Sequence, residues 1–251
     1  MKKLRIIARL DVKNEHVIKG IHLEGLRKVG KPNELARRYY EQGADEILLM
    51  DAVASLYERN GLFEIVARAC HEVFVPLTVG GGIRSLRDID LALKAGADKV
   101  GINTQAIKTP EFIRVAAQTY GSQCIVASIE AKRKGDSWEV YVNNGREATG
   151  LCVLDWIPRL EELGAGEILL TSVDQEGTKR GFDLELVRQV CRLVRIPIII
   201  SGGAGRLEHL QELMAAAPAD AVALASCLHY ELHTVGAIKQ HLHAAGVPVR
   251  L

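Results

Sequence analysis

No run of apolar residues in this chain approaches the ~20 needed to cross a bilayer. The N-terminus MKKLRIIARLDVKN carries two lysines but lacks the unbroken apolar stretch of a secretory signal, because Arg5, Arg9 and Asp11 interrupt it. Cysteine is present without a pattern. Cys70, Cys124, Cys152, Cys191 and Cys227 are odd in number and form no CxxC pair. Neither a zinc site nor a disulfide framework is implied, and a reducing cytoplasm is the expected setting. Charge of one sign is not in excess either: 32 Lys+Arg against 31 Asp+Glu leave +1, so capture of nucleic acid or of an anionic membrane surface has no global electrostatic support. With 48% hydrophobic and 25% charged residues, a disordered chain, a collagen-like fibre and a coiled coil are excluded. A soluble, cytoplasmic globular protein remains, with no metal set and no cofactor motif.

Apolar runs of strand length recur at Leu4–Asp11, Glu46–Asp51, Pro76–Gly81, Lys99–Asn103, Cys124–Glu130, Glu167–Ser172, Ile196–Gly202 and Ala221–Ala225. Their near-continuous hydrophobicity predicts strands buried on both faces, as in a parallel sheet. Amphipathic segments at 33–42, 62–73, 86–95, 110–118, 153–163, 184–193, 207–216 and 234–244 predict helices. Asp155 with Pro158, and Thr109–Pro110, read as helix-start chemistry. Glycines of the xGAD and xGAG segments (Gly43, Gly96, Gly164) stand where a helix must stop before the next strand. Alternating β and α units in 251 residues predict an α/β fold, a single (β/α)8 TIM barrel spanning the chain. No GxGxxG follows the first strand, which disfavours the doubly wound alternative. VGGGIR (79–84) aligns with ISGGAGR (200–206), ILLMDAVAS (47–55) with ILLTSVDQE (168–176), and ADKVGINT (97–104) with ADAVALAS (219–226). The offset is nearly constant, so the chain reads as two half-barrels, about 1–120 and 121–251. Trp138–Val142 followed by Asn143–Asn144–Gly145 breaks the pattern and predicts a small β-hairpin inserted after strand five.

In such barrels the working groups lie at the carboxyl ends of strands. Those positions are Asp11, Asp51, Gly81–Gly82, Asn103–Thr104, Glu130, Thr171 with Asp174, Ser201–Gly202–Gly203, and Ala225–Ser226. Asp11 and Glu130 end strands one and five, which face each other across an eight-stranded ring. Opposed carboxylates can divide acid and base roles; strand-terminal acids also cap loops and bind backbone amides. The paired glycine turns let backbone N–H groups approach an anion, one site per half, and so suggest a substrate with a phosphate at each end. Close strand–helix packing is the other use of such glycines. Arg5, Glu46, Lys99 and Glu167 stand at the amino ends of strands one, two, four and six. They could close a neutral ring across the floor, although spacing alone favours solvated strand starts.

The motifs LDVKNEHVIKG, VGGGIRS, ADKVGINT, GSQCIVASIEAKR, GAGEILLTSVDQEGTKRGFD and SGGAGRLEH, in this order, resemble the cyclase subunit family of imidazole glycerol phosphate synthase over essentially the whole chain. That resemblance implies a bis-phosphorylated formimino aminoimidazole carboxamide ribonucleotide as substrate in histidine biosynthesis. Ammonia adds to it, the chain is cleaved and the imidazole ring closes, giving imidazole glycerol phosphate and AICAR. It implies Asp11 as a catalytic acid and Glu130 at the place of the family's second catalytic aspartate. Lys19 falls in a mobile first loop over the substrate, and Gly82, Asn103, Thr104, Ser201, Gly203 and Ser226 fall on phosphate-binding positions. Gly177, within DQEGT, joins this substrate-binding set. The resemblance also assigns Arg5, Glu46, Lys99 and Glu167 to a gate through which ammonia enters. No GxCxG nucleophile turn is present, so a separate glutaminase subunit (HisH-like) is the implied partner in a heterodimer.

Three positions depart from the family pattern: Glu130, Glu176 where an aspartate is usual, and Arg9 where a small residue is usual. Arg9 is expected to lower the pKa values of both acids, with Asp11 serving as general acid and Glu130 as general base. Two other readings remain at this stage. One is a paralogue that passes ammonia to a different acceptor, such as a sugar in surface polysaccharide synthesis. The other is the related phosphoribosyl isomerase, which needs no gate.

Overall fold

The computed structural model describes residues 3–52 and 62–251. The last part of the ILLMDAVAS repeat, residues 53–55, therefore lies outside the described residues. Strands are β1 (Arg5–Lys13), β2 (His16–Ile21), β3 (Glu24–Gly30), β4 (Glu46–Asp51), β5 (Leu77–Gly80), β6 (Lys99–Ile102), β7 (Ile125–Lys134), β8 (Ser137–Val142), β9 (Glu147–Cys152), β10 (Glu167–Ser172), β11 (Ile198–Ser201) and β12 (Ala221–Leu224). Helices among the described residues are α1 (Pro32–Glu41), α2 (Leu62–Ala69), α3 (Leu86–Lys94), α4 (Thr104–Lys108), α5 (Glu111–Tyr120), α6 (Val153–Glu162), α7 (Leu184–Val190), α8 (Leu207–Ala216), α9 (Ser226–His229) and α10 (Val235–Ala244). None of them is long and apolar enough to cross a membrane.

Strands β10, β11, β12, β1, β4, β5, β6 and β7 pair in that order, all parallel, and β10 pairs β7 to close the ring. The eight apolar runs of the sequence are these eight strands. Side chains alternate across the wall. On β1, Ile6, Ala8 and Leu10 enter the large core between strands and helices. Ile7 instead joins Leu48, Val126, Leu169, Ile199, Ala221 and Ala223 in an apolar cluster inside the barrel, with Met50 against it.

The glycines of the GA(D/G) segments stop three helices in the same way. Gly43, Gly96 and Gly164 have φ of 88°, 109° and 99°, and the next residue's N–H returns to a carbonyl of the last turn (Ala44 to Tyr39, Ala97 to Ala92, Ala165 to Leu160). This is a Schellman closure, which satisfies otherwise orphaned carbonyls. The aspartate of the two GAD segments then does separate work, and Asp220, which follows Pro218–Ala219 instead of a glycine, does the same. Asp45, Asp98 and Asp220 accept from the backbone N–H of Ile6, Leu77 and Ile198 at 2.8, 2.8 and 2.9 Å. Each thereby ties the start of one strand to another.

The structure differs from the sequence reading in three places. Residues 16–30 form an antiparallel β2–β3 hairpin on β1, where the resemblance implies a loop. β3 has no buried residue, so it lacks the apolar run that marks the barrel strands. β7 does not end at Glu130 but continues to Lys134 and pairs β8, while Asn143–Asn144–Gly145 (all at positive φ) turn β8 into β9. The insertion is thus a three-stranded meander. Pro158 lies inside α6 rather than at its start, and Cys152 precedes the first turn without a side-chain cap.

Candidate active site

At the carboxyl ends of the strands, Arg9, Asp11, Asp51, Gly81, Gly82, Asn103, Thr104 and Glu130 line one cavity. Asp11 and Glu130 are both buried, and β1 and β7 place them in this cavity because their inward parity is that of Ile7 and Val126 below them.

Their surroundings are opposite in character. Arg9 Nε donates to Asp11 Oδ1 at 2.9 Å, and Lys19 Nζ stands 3.7 Å from Asp11 Oδ2. Burial favours the neutral acid, but these cations outweigh it and hold Asp11 below the ordinary carboxylate range. Glu130 accepts 2.8 Å from the Gly145 N–H. Burial dominates there and pushes its carboxyl up to about 7, against the Gly145 bond and the more distant Arg9 charge. Arg9 thus lowers both acids, as expected, but only at Asp11, which it bonds directly, do the cations outweigh burial; at Glu130 it acts through its field alone and burial prevails. The acid and base roles read from the sequence are correspondingly better suited to exchange. Asp11 is the group kept ionised, and Glu130 is the group able to hold a proton at neutral pH.

Lys19 is buried and ion-paired with Glu176 as well as facing Asp11. Desolvation lowers it to about 8, although Asp11 opposes the shift. The same hairpin docks on the segment after β10: His22 N–H donates to Glu176 O at 2.7 Å, and its ring Nδ1 lies 3.0 Å from Val173 O. Gly177 (φ 76°) passes so near the Gly20 carbonyl that a Cβ would collide with it. Glu176, one methylene longer than aspartate, reaches the hairpin's Lys19.

The paired turns have matching backbones. Gly81 and Gly82 have φ of 90° and 76°, Gly202 and Gly203 of 102° and 105°. Asn103 and Ala225, preceding α4 and α9, share another unusual conformation (φ −119°, ψ −85° and φ −132°, ψ −76°). The two halves nevertheless differ in access. Gly82, Asn103 and Thr104 open on the cavity of the two acids. Gly202 and Gly203 are instead packed beneath residues 172–181, and Gly181 N–H bonds Gly203 O at 2.8 Å. Among the described residues, Ser226 Oγ and Ser172 Oγ are buried without a hydrogen-bond partner. Thr171 and Ser201 accept from the Arg9 guanidinium at 2.8 and 3.1 Å. Asp174 lies outside the cavity lining and accepts from the Arg133 backbone N–H at 2.7 Å, fixing β7 beyond Glu130. Ala225 O receives the N–H groups of Leu228 and His229.

Sequence reasoning missed Arg84, Gln105, Lys108, Asn143 and Asn144, which also line the cavity. Arg84 closes the VGGGIR motif and was legible. The two asparagines come from the inserted meander, and only the fold carries them to the mouth.

At the other end, the four charges do close a ring. Arg5 pairs with Glu46 (3.0 Å) and Glu167, and Lys99 pairs with Glu46 (2.9 Å) and Glu167 (2.8 Å). Thr78 Oγ1 donates to Glu46. Solvated strand starts are excluded for Glu46 and Glu167, both of which are buried. Among the described residues, no cluster of three or more His, Cys, Asp or Glu is placed to hold a metal.

A family model described as "Histidine biosynthesis protein" matches residues 5–234. The chain is 60% identical over 209 residues to the "Imidazole glycerol phosphate synthase subunit HisF" of Legionella pneumophila, covering 83% of this chain and 99% of that protein. A closed eight-stranded barrel, matching glycine turns in its two halves and this similarity together place the chain in the histidine biosynthesis protein family, among its HisF members.

Proposed function

We propose that this protein is the cyclase subunit of imidazole glycerol phosphate synthase, a lyase of histidine biosynthesis that uses ammonia to convert the bis-phosphorylated ribonucleotide to imidazole glycerol phosphate and AICAR. The observation that carries the chemistry is one cavity walled by two carboxyl groups of opposite protonation tendency, beside a glycine turn able to take a phosphate. Asp11 serves as base and as partner of developing positive charge; Glu130 delivers a proton and recovers it. Gly82 and Thr104 hold the near phosphate through backbone N–H groups. Gly203 and the buried Ser226 hydroxyl take the far one once the Lys19–Glu176 tie releases. Ammonia from a glutaminase subunit passes the floor ring and the apolar interior, where neutral ammonia crosses at far less cost than ammonium. The 60% identity to a HisF protein favours this reading over delivery to another acceptor, and the ring disfavours an isomerase.

The test is purified protein with the ribonucleotide and an ammonium salt at alkaline pH, followed by loss of substrate absorbance. Asp11→Asn and Glu130→Gln are each expected to lower turnover about 10²-fold or more, in the range removed with an acid–base group. Full activity in either variant defeats the assignment.

A further inference from the structure

β1 sends four side chains inward in succession. Arg5 belongs to the floor ring, Ile7 to the apolar interior cluster, and Arg9 and Asp11 to the upper cavity. Arg9 is the unusual one. It is almost fully buried (3% exposed) and leaves β1 to reach Thr171 on β10 and Ser201 on β11. In the ring, β12 and β11 stand between β1 and β10. The guanidinium therefore crosses above the interior cluster, passing the small side chain of Ala223 on β12. It donates hydrogen bonds to Asp11, Thr171 and Ser201. A planar fork with several fixed donors suits such a bridge, whereas a lysine offers one point charge.

We propose that Arg9 is a positioning residue for the reaction: it ties the Asp11 carboxylate to β10 and β11 and forms the partition between the apolar interior and the reacting cavity. This rests on the cyclase reading above for its kinetic consequence, but not for its structural one. Other charged or titratable groups also face Asp11. Lys19 comes from β2 with Glu176 behind it, His229 from α9, Glu130 from β7, and Asp51 lines the same cavity from β4. Of the cations, Arg9 makes the shorter contact with Asp11. Losing it removes a bonded positive charge from a buried carboxylate, so the Asp11 pKa must rise and its ionised fraction must fall at the acid end.

The experiment compares Arg9→Met, similar in reach but uncharged, with Arg9→Lys, which keeps the charge. In the ammonia-dependent assay, Arg9→Met is expected to lower kcat by about 10- to 100-fold while KM for the ribonucleotide stays within about threefold. The acid limb of its pH profile should move upward by about one pH unit, and Arg9→Lys should restore part of both effects. Unchanged kcat and profile in Arg9→Met overturns the proposal. So does an equal loss in both variants with an unmoved profile, since that is the behaviour of mere packing. Carbon-13 NMR titration of Asp11, assigned with Asp11→Asn, gives a readout that needs no turnover. A raised Asp11 pKa in Arg9→Met supports the proposal even if the wild type fails to convert this ribonucleotide, and an unshifted one overturns it. Failure of wild-type turnover alone counts only against the substrate assignment.

Discussion

A carboxyl group carried from water into a barrel wall loses its ionic form first unless a cation goes with it. Asp11 travels with Arg9 and Lys19; Glu130 travels only with neutral donors, the Gly145 N–H and the Asn103 side chain. Their contributions to stability consequently run in opposite directions with pH. Glu130 has a folded pKa of about 7 against an ordinary 4.5. The fold thus binds its proton more tightly than the unfolded chain does. That contribution is fully present below 4.5 and is lost as pH rises toward 7. Asp11 is shifted down, so its contribution is present above its ordinary 3.8 and lost as pH falls below that. Urea unfolding of wild type and Glu130→Gln at about pH 5 and about pH 8 isolates the first effect. Relative to the variant, the wild type should weaken across this interval by up to about 3 kcal/mol, an upper bound from the shift at ~1.4 kcal/mol per unit. Parallel pH dependence in the two proteins would show that Glu130 is ionised throughout.

Among the elements, the helix-ending glycines separate two costs that sequence inspection merges. Gly43 adopts φ 88° with open space where a Cβ would stand, so Gly43→Ala meets only backbone strain. A loss of about 1 kcal/mol is expected. In a barrel of this size that is roughly 2–4 °C in Tm by calorimetry. Gly166 is different. It carries no φ restriction, but its Cβ would collide with the Ser122 carbonyl, a backbone atom that cannot rotate away. Gly166→Ala should therefore cost clearly more than Gly43→Ala, and the reverse order would refute this ranking. Position 166 is also where the repeated GAD motif becomes GAG. Here the backbone N–H of Gly166 bonds Ile125 O, and no carboxylate serves the strand start.

For the whole molecule, the floor ring is the arrangement that couples most strands: β1, β4, β6 and β10 each supply one charge. Two cations and two anions balance only while all four are present. Lys99→Met leaves buried Glu46 and Glu167 facing each other with Arg5 alone, and should destabilise the barrel by about 3 kcal/mol. Lys99→Met combined with Glu167→Gln restores neutrality and should be less costly than the sum of the single changes, by on the order of 1–2 kcal/mol in a double-mutant cycle. Strict additivity would mean that the four charges act as separate surface pairs. In complex with the proposed glutaminase partner, the double variant should also release more ammonia to solution per product formed than the wild type.

Several features are legible in the sequence. Eight near-continuous apolar runs specify strands buried on both faces, and Gly43, Gly96 and Gly164 specify where three helices stop, because those requirements are local to the chain. Asp11, Glu130, Gly82, Asn103 and Thr104 follow from their places at the carboxyl ends of the strands, and they do share a cavity. The β2–β3 hairpin was not legible, since an exposed edge carries no apolar signature. Nor were the asparagines of the β8–β9 turn, which reach the mouth only because β7 runs on past the wall. Protonation was decided by the tertiary structure as well. Arg9 stands two residues from Asp11 in the chain, yet only the ring closure brings Thr171 and Ser201, more than 160 residues away, to hold its guanidinium. The sequence by itself determined which atoms line the wall. Folding determined which of them are desolvated together, and for buried charges that is what sets the chemistry.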